Sequence, residues 1–249
     1  MTTILEQARD KLIHLCREED VDVAQPVIVS PLSPDEAIGS GADGSLIIKK
    51  GKEILIEATF SGARGQALTD SPSAWNGALS ALLELDLSGT HHRAVFVAAL
   101  NAVLRSLDRA QGTVHCRDDE PGRCGPEIAR WMEHRFSKTR VGLIGLQPAI
   151  LSALVDRFGP NNVRVVDFDP DAIGTVESGV PIWNGQAKLP RLIASCNVGL
   201  ATGSSIVNGM IDDILRRFNR AGKPVVFFGT TISGAAALLG LERVCPFGT

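Results

Sequence analysis

The second half of the chain alternates short apolar runs with amphipathic segments, and this alternation constrains the fold more than any other feature. Runs rich in Val, Ile and Leu cover residues 140–145, 163–168, 196–202 and 224–229. Apolar residues recur at helical spacing in segments after the first, third and fourth runs, at 148–158, 206–221 and 235–239. Strands separated by helices are joined by right-handed crossovers and lie parallel. We therefore expect residues 138–249 to form an α/β domain with a Rossmann-like parallel sheet.

The first 109 residues follow a different pattern. A helix is predicted from residue 4 to about residue 16, a strand at 26–31, and a glycine-rich turn at 61–65. Two β-branched runs within 45–58 flank Lys50, Gly51 and Lys52, which indicates a hairpin. Two apolar stripes then predict two helices, one containing Trp75, Leu79, Leu82 and Leu83 and one from Val95 to Leu107. Residues 1–109 are thus expected to form a smaller α+β domain. A polar connector at 110–137, with a helix at 127–136, is expected to join it to the second domain.

Composition narrows the classes of function. The 249 residues are 44% hydrophobic and 21% charged, which is typical of a globular protein. The net charge of −3 and the absence of Tyr argue against nucleic-acid binding by a basic or stacking surface. The longest apolar run, 95–100, is too short to span a membrane. The N-terminal residues show no signal-peptide pattern and the cysteine count is odd, so we expect reduced thiols and a cytoplasmic location.

Ligands of an open parallel sheet bind beyond the carboxyl ends of its strands, and the first candidates stand there. Gly145 follows the first predicted strand, but the turn lacks the Gly-x-Gly-x-x-Gly pattern of a dinucleotide site. Asp167 and Asp169 end the second strand, about where a ribose-binding acid belongs. The alternative is that these carboxylates are merely solvated at a strand end.

Two further turns combine glycine with small hydroxyl residues. Free main-chain N–H groups at the start of a following helix would attract an anion, whereas the alternative is ordinary helix capping. The candidate ligand-binding residues of these turns and of the helix that follows the first are Thr202, Gly203, Ser204, Asn208, Gly229 and Thr230. Asn101 interrupts an apolar helix of the first domain, and we expect it to face the Thr202 turn across an inter-domain cleft.

The connector gathers soft and hard metal ligands within a few residues. His115, Cys116 and Cys124 are candidate ligands for a transition or heavy metal ion, with acidic residues at 118–120 between them. The spacing is not that of a structural zinc site, and the alternative is that both cysteines are packing residues. The Pro-Gly and Gly-Pro pairs at 121–122 and 125–126 are expected to turn the segment back so that both cysteines face one side.

The order of these segments resembles the putative heavy-metal-chelation family. The resemblance rests on residues 97–102, the connector cysteines, and residues 141–145, 167–170, 201–208 and 228–231. It implies an enolase-N-terminal-like domain followed by a Rossmann-like domain. It also implies binding of a metal or a metal complex in the cleft between them.

Three functions remain open at this level. The first is a binding protein for a metal ion or for a small metal-bearing or anionic molecule. The second is an enzyme acting on a nucleotide-like or cofactor-like molecule, although no nucleophile elbow, P-loop or zinc-protease motif assigns a catalytic residue. The third is a ligand-free interaction module that forms a homodimer through the sheet edge of the first domain.

Overall fold

The computed structural model describes residues 2–40 and 53–249, which contain two sheets surrounded by helices. The described helices are α1 (Ile4–Glu18), α2 (Pro34–Ile38), α3 (Leu79–Leu83), α4 (Thr90–Ser106), α5 (Glu120–Phe136), α6 (Pro148–Phe158), α7 (Gly185–Ser195), α8 (Ile211–Arg220) and α9 (Ser233–Leu239). The described strands are β1 (Pro26–Pro31), β2 (Ile54–Phe60), β3 (Ala63–Thr69), β4 (Trp75–Ala78), β5 (Val141–Ile144), β6 (Val163–Asp167), β7 (Val176–Glu177), β8 (Val180–Asn184), β9 (Val198–Thr202), β10 (Val225–Phe228) and β11 (Arg243–Val244). None of the described helices has the length and hydropathy needed to cross a bilayer.

The first sheet is antiparallel, with strand order β3-β2-β1-β4. Strands β2 and β3 form a hairpin whose turn lies at Ser61 and Gly62, at the start of the glycine-rich stretch that predicted a turn. The hairpin predicted around Lys50, Gly51 and Lys52 falls largely outside the described residues. The helix predicted to contain Trp75 is wrong at that residue, because Trp75 opens β4 and pairs with Val29. Asn76 and Gly77 are weak helix formers, so pairing with β1 determines the conformation there.

The second sheet has the order β11-β10-β9-β5-β6-β8-β7 and is parallel except for the pairing of β7 with β8. Its central strands β5 and β9 are buried on both faces, as the near-continuous apolar runs indicated. Leu143, Val165 and Leu200 pack on the side of α5 and α6, whereas Ile144, Val166 and Ala201 pack on the opposite side. The expected mixed α/β fold, with one antiparallel and one parallel sheet, is confirmed.

Three segments differ from the sequence-based expectation. The helix predicted from residue 206 begins at Ile211, because Gly209 has a φ of +81° and interrupts it. Residues 176–195, which carried no prediction, form β7, β8 and α7. The helix expected at 127–136 within the polar connector begins earlier, since α5 starts at Glu120, and its Ile128, Ala129 and Met132 are buried against the parallel sheet.

One buried side chain that helps to join the two sheets is that of Asn101 on α4. Its Nδ2 donates to the carbonyl of Gln66 on β3 at 2.8 Å and to those of Thr230 and Thr231 at 3.3 and 3.0 Å. Its Oδ1 accepts from the main-chain N–H of Gly234 at 2.7 Å. Asn101 is 0% exposed, so no water molecule is present to take the place of its amide as a hydrogen-bond partner of these groups. The amide therefore links α4 and the first sheet to the turn between β10 and α9.

We expect Asn101→Ala to lower the free energy of unfolding by about 2–4 kcal/mol, because it leaves buried carbonyl and N–H groups without partners. Chemical denaturation followed by circular dichroism would measure this loss. Asn161→Ala, at an exposed position, is the matched control and should change stability by no more than about 0.5 kcal/mol. Equal losses in the two variants would contradict a joining role for Asn101.

Candidate functional site

The carboxyl ends of the parallel strands lie at one edge of the second sheet, which we call the carboxyl edge. Gly145 and Thr202 stand at the ends of the neighbouring strands β5 and β9. Helix α5 also begins at this edge. A Cβ on its Gly125 would lie 2.3 Å from the carbonyl oxygen of Ala149, which sits at the start of α6 just after β5. The fold thus brings the connector to the same edge as the predicted turns.

The β9 and β10 turns at this edge are filled by the first half of the chain. Leu68 on β3 donates its N–H to Thr231 Oγ1 at 3.0 Å. The neighbouring turn residues Gly203, Ser204 and Thr230 are buried. A Cβ on Gly203 would lie 2.9 Å from the Ile232 side chain, so only glycine fits there. These three predicted ligand-binding residues therefore lie in the packed joint between the two sheets.

Thr202 and Asn208 have local hydrogen-bonding roles. Thr202 Oγ1 accepts from the N–H of Ser204 at 3.3 Å, which is the capping arrangement considered as the alternative. Exposed Asn208 accepts from Met210 N–H at 3.1 Å. Asn101, expected to face the Thr202 turn, instead bonds to the Thr230 turn, and those bonds engage both ends of its amide. Asn101 is buried and both its amide oxygen and its amide nitrogen already have hydrogen-bond partners. The expectation that it lines a ligand cleft is therefore corrected.

Asp167 organises the turns that follow β5 and β6. Its Oδ1 accepts from the N–H groups of Phe168 and Asp169, each at 2.7 Å, and its Oδ2 accepts from Leu146 N–H. Gly145 precedes Leu146 with a φ of +90°. The carboxylate of Asp167, which was predicted to hold a ribose, therefore accepts hydrogen bonds from main-chain N–H groups of the fold.

Four carboxyl groups, Glu53, Asp70, Asp167 and Asp169, form an acidic edge between the two sheets. Glu53 lies just before β2 and Asp70 just after β3, so both stand at the open end of that hairpin. Burial raises the pKa of Glu53 to about 7, and the charges of Asp167, Asp70 and Asp169 add to this effect. The acidic edge disfavours an anionic ligand. Glu53 and Asp70 escaped sequence reasoning because only the packing of the hairpin brings them to the parallel sheet.

The raised pKa of Glu53 predicts a pH-dependent stability difference for Glu53→Gln. Wild-type protein should lose up to ~3 kcal/mol relative to the variant as the pH rises from 4.5 to about 7, because the unfolded chain ionises Glu53 before the folded chain does. Denaturation at intervals between pH 4.5 and 8.5 would measure the difference. Both proteins share every other carboxyl group, so the difference isolates Glu53. A difference that does not change with pH would contradict the assignment.

Cys116 and Cys124 come together at the carboxyl edge. Cys116 is buried in the connector, and Cys124 is partly exposed in the first turns of α5. An interaction between the two thiols raises the pKa of Cys116, which burial raises further, and lowers the pKa of Cys124. Cys124 is therefore the member of the pair that ionises first.

The Pro and Gly residues around Cys124 do not form the expected turn. Pro121 and Pro126 lie within α5, Pro121 in its first turn, where a missing N–H costs no helical hydrogen bond. Gly125 faces α6, where the close approach to Ala149 leaves no space for a side chain. The two cysteines meet because the connector packs against the start of α5.

His115 adjoins the pair and is neutral. Burial lowers its pKa, and its Nδ1 lies 2.7 Å from the carbonyl oxygen of Cys116 and 3.6 Å from the Cys116 sulfur. Because Nδ1 faces a carbonyl acceptor, we assign the proton to it, which leaves the lone pair on Nε2. The main chain of His115 is fixed by Gln66 Oε1, which accepts its N–H at 2.7 Å.

Cys245 is the member of this group that sequence reasoning missed. It follows β11 directly and so stands at the carboxyl edge. Burial raises the pKa of Cys245, and a charge on Cys124 raises it further. A charge on Cys245 adds to the interaction with Cys124 and the burial that raise the pKa of Cys116. We call Cys116, Cys124 and Cys245 the thiol cluster. Among residues 2–40 and 53–249, no three His, Cys, Asp or Glu side chains are already arranged to hold a metal ion. A cysteine placed just after the last strand was the signal available in the sequence.

The fold and site define a mixed α/β protein with thiol and carboxyl groups at the carboxyl edge of its parallel sheet. The model of family DUF364, described as putative heavy-metal chelation, matches residues 129–242. This match confirms the resemblance that the sequence motifs indicated. The thiol cluster lies just outside the matched range, on both sides of it.

Solved structures to which this chain is similar carry the same family name. A DUF364 protein of unknown function from Pyrococcus horikoshii is 16% identical, with a TM-score of 0.55, covering 92% of this chain and 80% of that one. A second DUF364 protein of unknown function, from Desulfitobacterium hafniense DCB-2, is 13% identical, with a TM-score of 0.48 and coverage of 76% and 72%. The similarity to the Pyrococcus horikoshii protein shows that the two chains share a fold, and it shows nothing beyond the fold. A comparison with curated proteins gave no match.

Proposed function

We propose that this protein binds a thiophilic transition or heavy-metal ion through Cys116 and Cys124. The observation that carries the proposal is that these two thiols, from different segments, lie close enough to interact, and this interaction favours the thiolate of Cys124. Thiolates select soft ions such as Cu(I) and borderline ions such as zinc. Two thiolates are sufficient for a linearly coordinated soft ion.

The surroundings support a soft cation at this place. His115 is neutral and keeps a lone pair on Nε2, so it supplies imidazole as a further donor without a prior proton loss. Glu120 and Glu127 lie near Cys124 and add negative charge. The family description, which names heavy-metal chelation, points to the same class of ligand.

The enzymatic alternative has less support from these contacts. A nucleotide-like substrate would need a free carboxylate for its ribose, whereas Asp167 accepts three main-chain N–H groups. Its phosphates would also meet the negative charge of the acidic edge. Homodimer formation through the first sheet stays a prediction, which light scattering would test.

The double variant Cys116→Ser, Cys124→Ser should keep the fold and lose metal binding. A chain of this length buries enough apolar surface to fold without a metal, so the loss should be specific to the ion. Titration with Cd²⁺ in the presence of a competing chelator would measure affinity, and native mass spectrometry would give the stoichiometry. We expect one bound ion in the wild-type protein. The affinity of the variant should be weaker by about 100-fold or more, because losing only the groups that support a metal's ligands already weakens affinity by up to about 100-fold.

The matched control is Cys16→Ser, Cys196→Ser, which removes the same number of thiols, both of them buried, outside the cluster. Circular dichroism spectra establish that both double variants remain folded. The control should bind Cd²⁺ as the wild-type protein does. Equal affinity in all three proteins, or no binding in any of them, would reject Cys116 and Cys124 as the ligands.

Metal binding should release protons and weaken as the pH falls. The pKa of Cys116 is raised, so its thiol carries a proton near neutral pH that the metal must displace. Calorimetric titration of Cd²⁺ in buffers of different ionisation enthalpy would count the released protons. A heat of binding independent of the buffer would contradict binding through thiolates.

A further inference from the structure

The connector lies along the outer edge of the first sheet. Strand β3 stands at one end of the order β3-β2-β1-β4, so one of its edges faces the connector instead of another strand. At this edge the N–H of Gln66 donates to the Thr113 carbonyl at 2.9 Å, and Thr113 Oγ1 donates to the Arg64 carbonyl at 2.8 Å. These contacts place the residues just before His115 and Cys116 beside β3.

The side chain of Gln66 makes the contact nearest to the Cys116 thiol along the chain. Its Oε1 accepts the N–H of His115 at 2.7 Å, and its Nε2 donates to Glu57 Oε2 at 2.7 Å. A main-chain N–H can only donate and a carboxylate accepts, so these two partners fix the orientation of the amide. The amide therefore holds the main chain immediately before Cys116.

Gln66 also belongs to the joint between the two sheets. Its carbonyl accepts from Nδ2 of Asn101 at 2.8 Å, so its main-chain N–H, its carbonyl and both ends of its amide all have partners. The residue is 2% exposed, and any other side-chain conformation would leave buried polar groups without hydrogen bonds. One residue with a single favourable conformation thus connects the joint with the connector.

We propose that Gln66 is a positioning residue of the metal site, which holds the His115–Cys116 segment in place for the ion. This inference rests on the proposed function, since it concerns the same site. Gln66 does not contact the ion and acts through the main chain of His115. A segment that is fixed before binding loses less conformational entropy when the ion binds, so affinity depends on the residue that fixes it.

The test begins with Gln66→Met, which keeps the length of the side chain and removes both polar groups of the amide. In the metal-free variant, alkylation of Cys116 by iodoacetamide should be faster by about 5-fold or more, the population change expected when a hydrogen bond to a buried group is lost. The alkylation rate of Cys196 should not change. Cys116 and Cys196 are 5% and 1% exposed, so a general loss of stability would expose both thiols, whereas release of the connector exposes Cys116 alone.

The affinity of Gln66→Met for Cd²⁺ should fall by about 10-fold, the lower cost of losing a group that supports a metal's ligands. The matched control is Gln25→Met, the same substitution at an exposed glutamine whose Oε1 accepts from Ser61 Oγ at 2.6 Å. This control should match the wild-type protein both in Cd²⁺ affinity and in the alkylation rate of Cys116.

A rescue experiment uses the contact between Gln66 and Glu57. Gln66→Glu keeps an acceptor for the N–H of His115 but places a second carboxylate against Glu57, so Cd²⁺ affinity should fall. Adding Glu57→Gln returns an amide donor to this contact from the other side. The double variant should recover the wild-type affinity to within about 3-fold, because the two substitutions compensate each other.

Hydrogen exchange in the wild-type chain does not depend on the folding of a variant, and it should show the N–H of His115 exchanging as slowly as that of Gln66. Exchange of the His115 N–H at the rate of an exposed amide would overturn positioning by Gln66 and leave the metal site standing. So would an unchanged alkylation rate of Cys116 in Gln66→Met, or equal increases at Cys116 and Cys196. Selective exposure of Cys116 without Cd²⁺ binding by the wild-type protein would instead overturn the proposed function, and with it the role of Gln66 in metal binding.

Discussion

The hydrogen bonds of the Asn101 amide are the contact on which the arrangement of the two sheets depends. An amide has both donors and an acceptor, so this one side chain can satisfy the carbonyls of β3 and the Thr230 turn together with the N–H of Gly234. In a fully buried position, leaving one of these groups without a hydrogen bond would cost more free energy than the bond itself contributes. The amide therefore fixes which part of the carboxyl edge the first half of the chain covers.

The part of the carboxyl edge that the first half of the chain covers determines which side chains remain there to bind a ligand. The turns after β9 and β10, with their small hydroxyl residues, become packing surface between the sheets. Carboxyl groups accumulate at the β6 end, where they make the site unsuitable for phosphates and raise the pKa of Glu53. Thiols stand in the connector, at the start of α5 and just after β11. Soft donors and hard donors are thus separated along one edge, and the soft donors form the site we propose.

Sequence patterns predicted the elements of the parallel sheet well, because strands buried on both faces need continuous apolar runs. They failed at Trp75, where pairing with β1 outweighs the helical spacing of apolar residues, and at residues 120–126, where Pro and Gly start a helix instead of turning the chain. Cys116 and Cys124 could be selected by residue type alone. Cys245 and Glu53 could not, because their neighbours are distant in sequence.

The sequence by itself determined the α/β class, the position of the carboxyl edge and the presence of soft ligands near residue 120, since these follow from periodicity and local composition. The tertiary structure decided which residues at that edge remain accessible and that Asn101 joins the sheets instead of lining a cleft. It also decided that the segment after the last strand, which carries Cys245, lies beside the connector. The physical reason is that hydrogen-bond saturation, burial and charge depend on contacts between segments more than a hundred residues apart. No local pattern in the chain encodes such contacts.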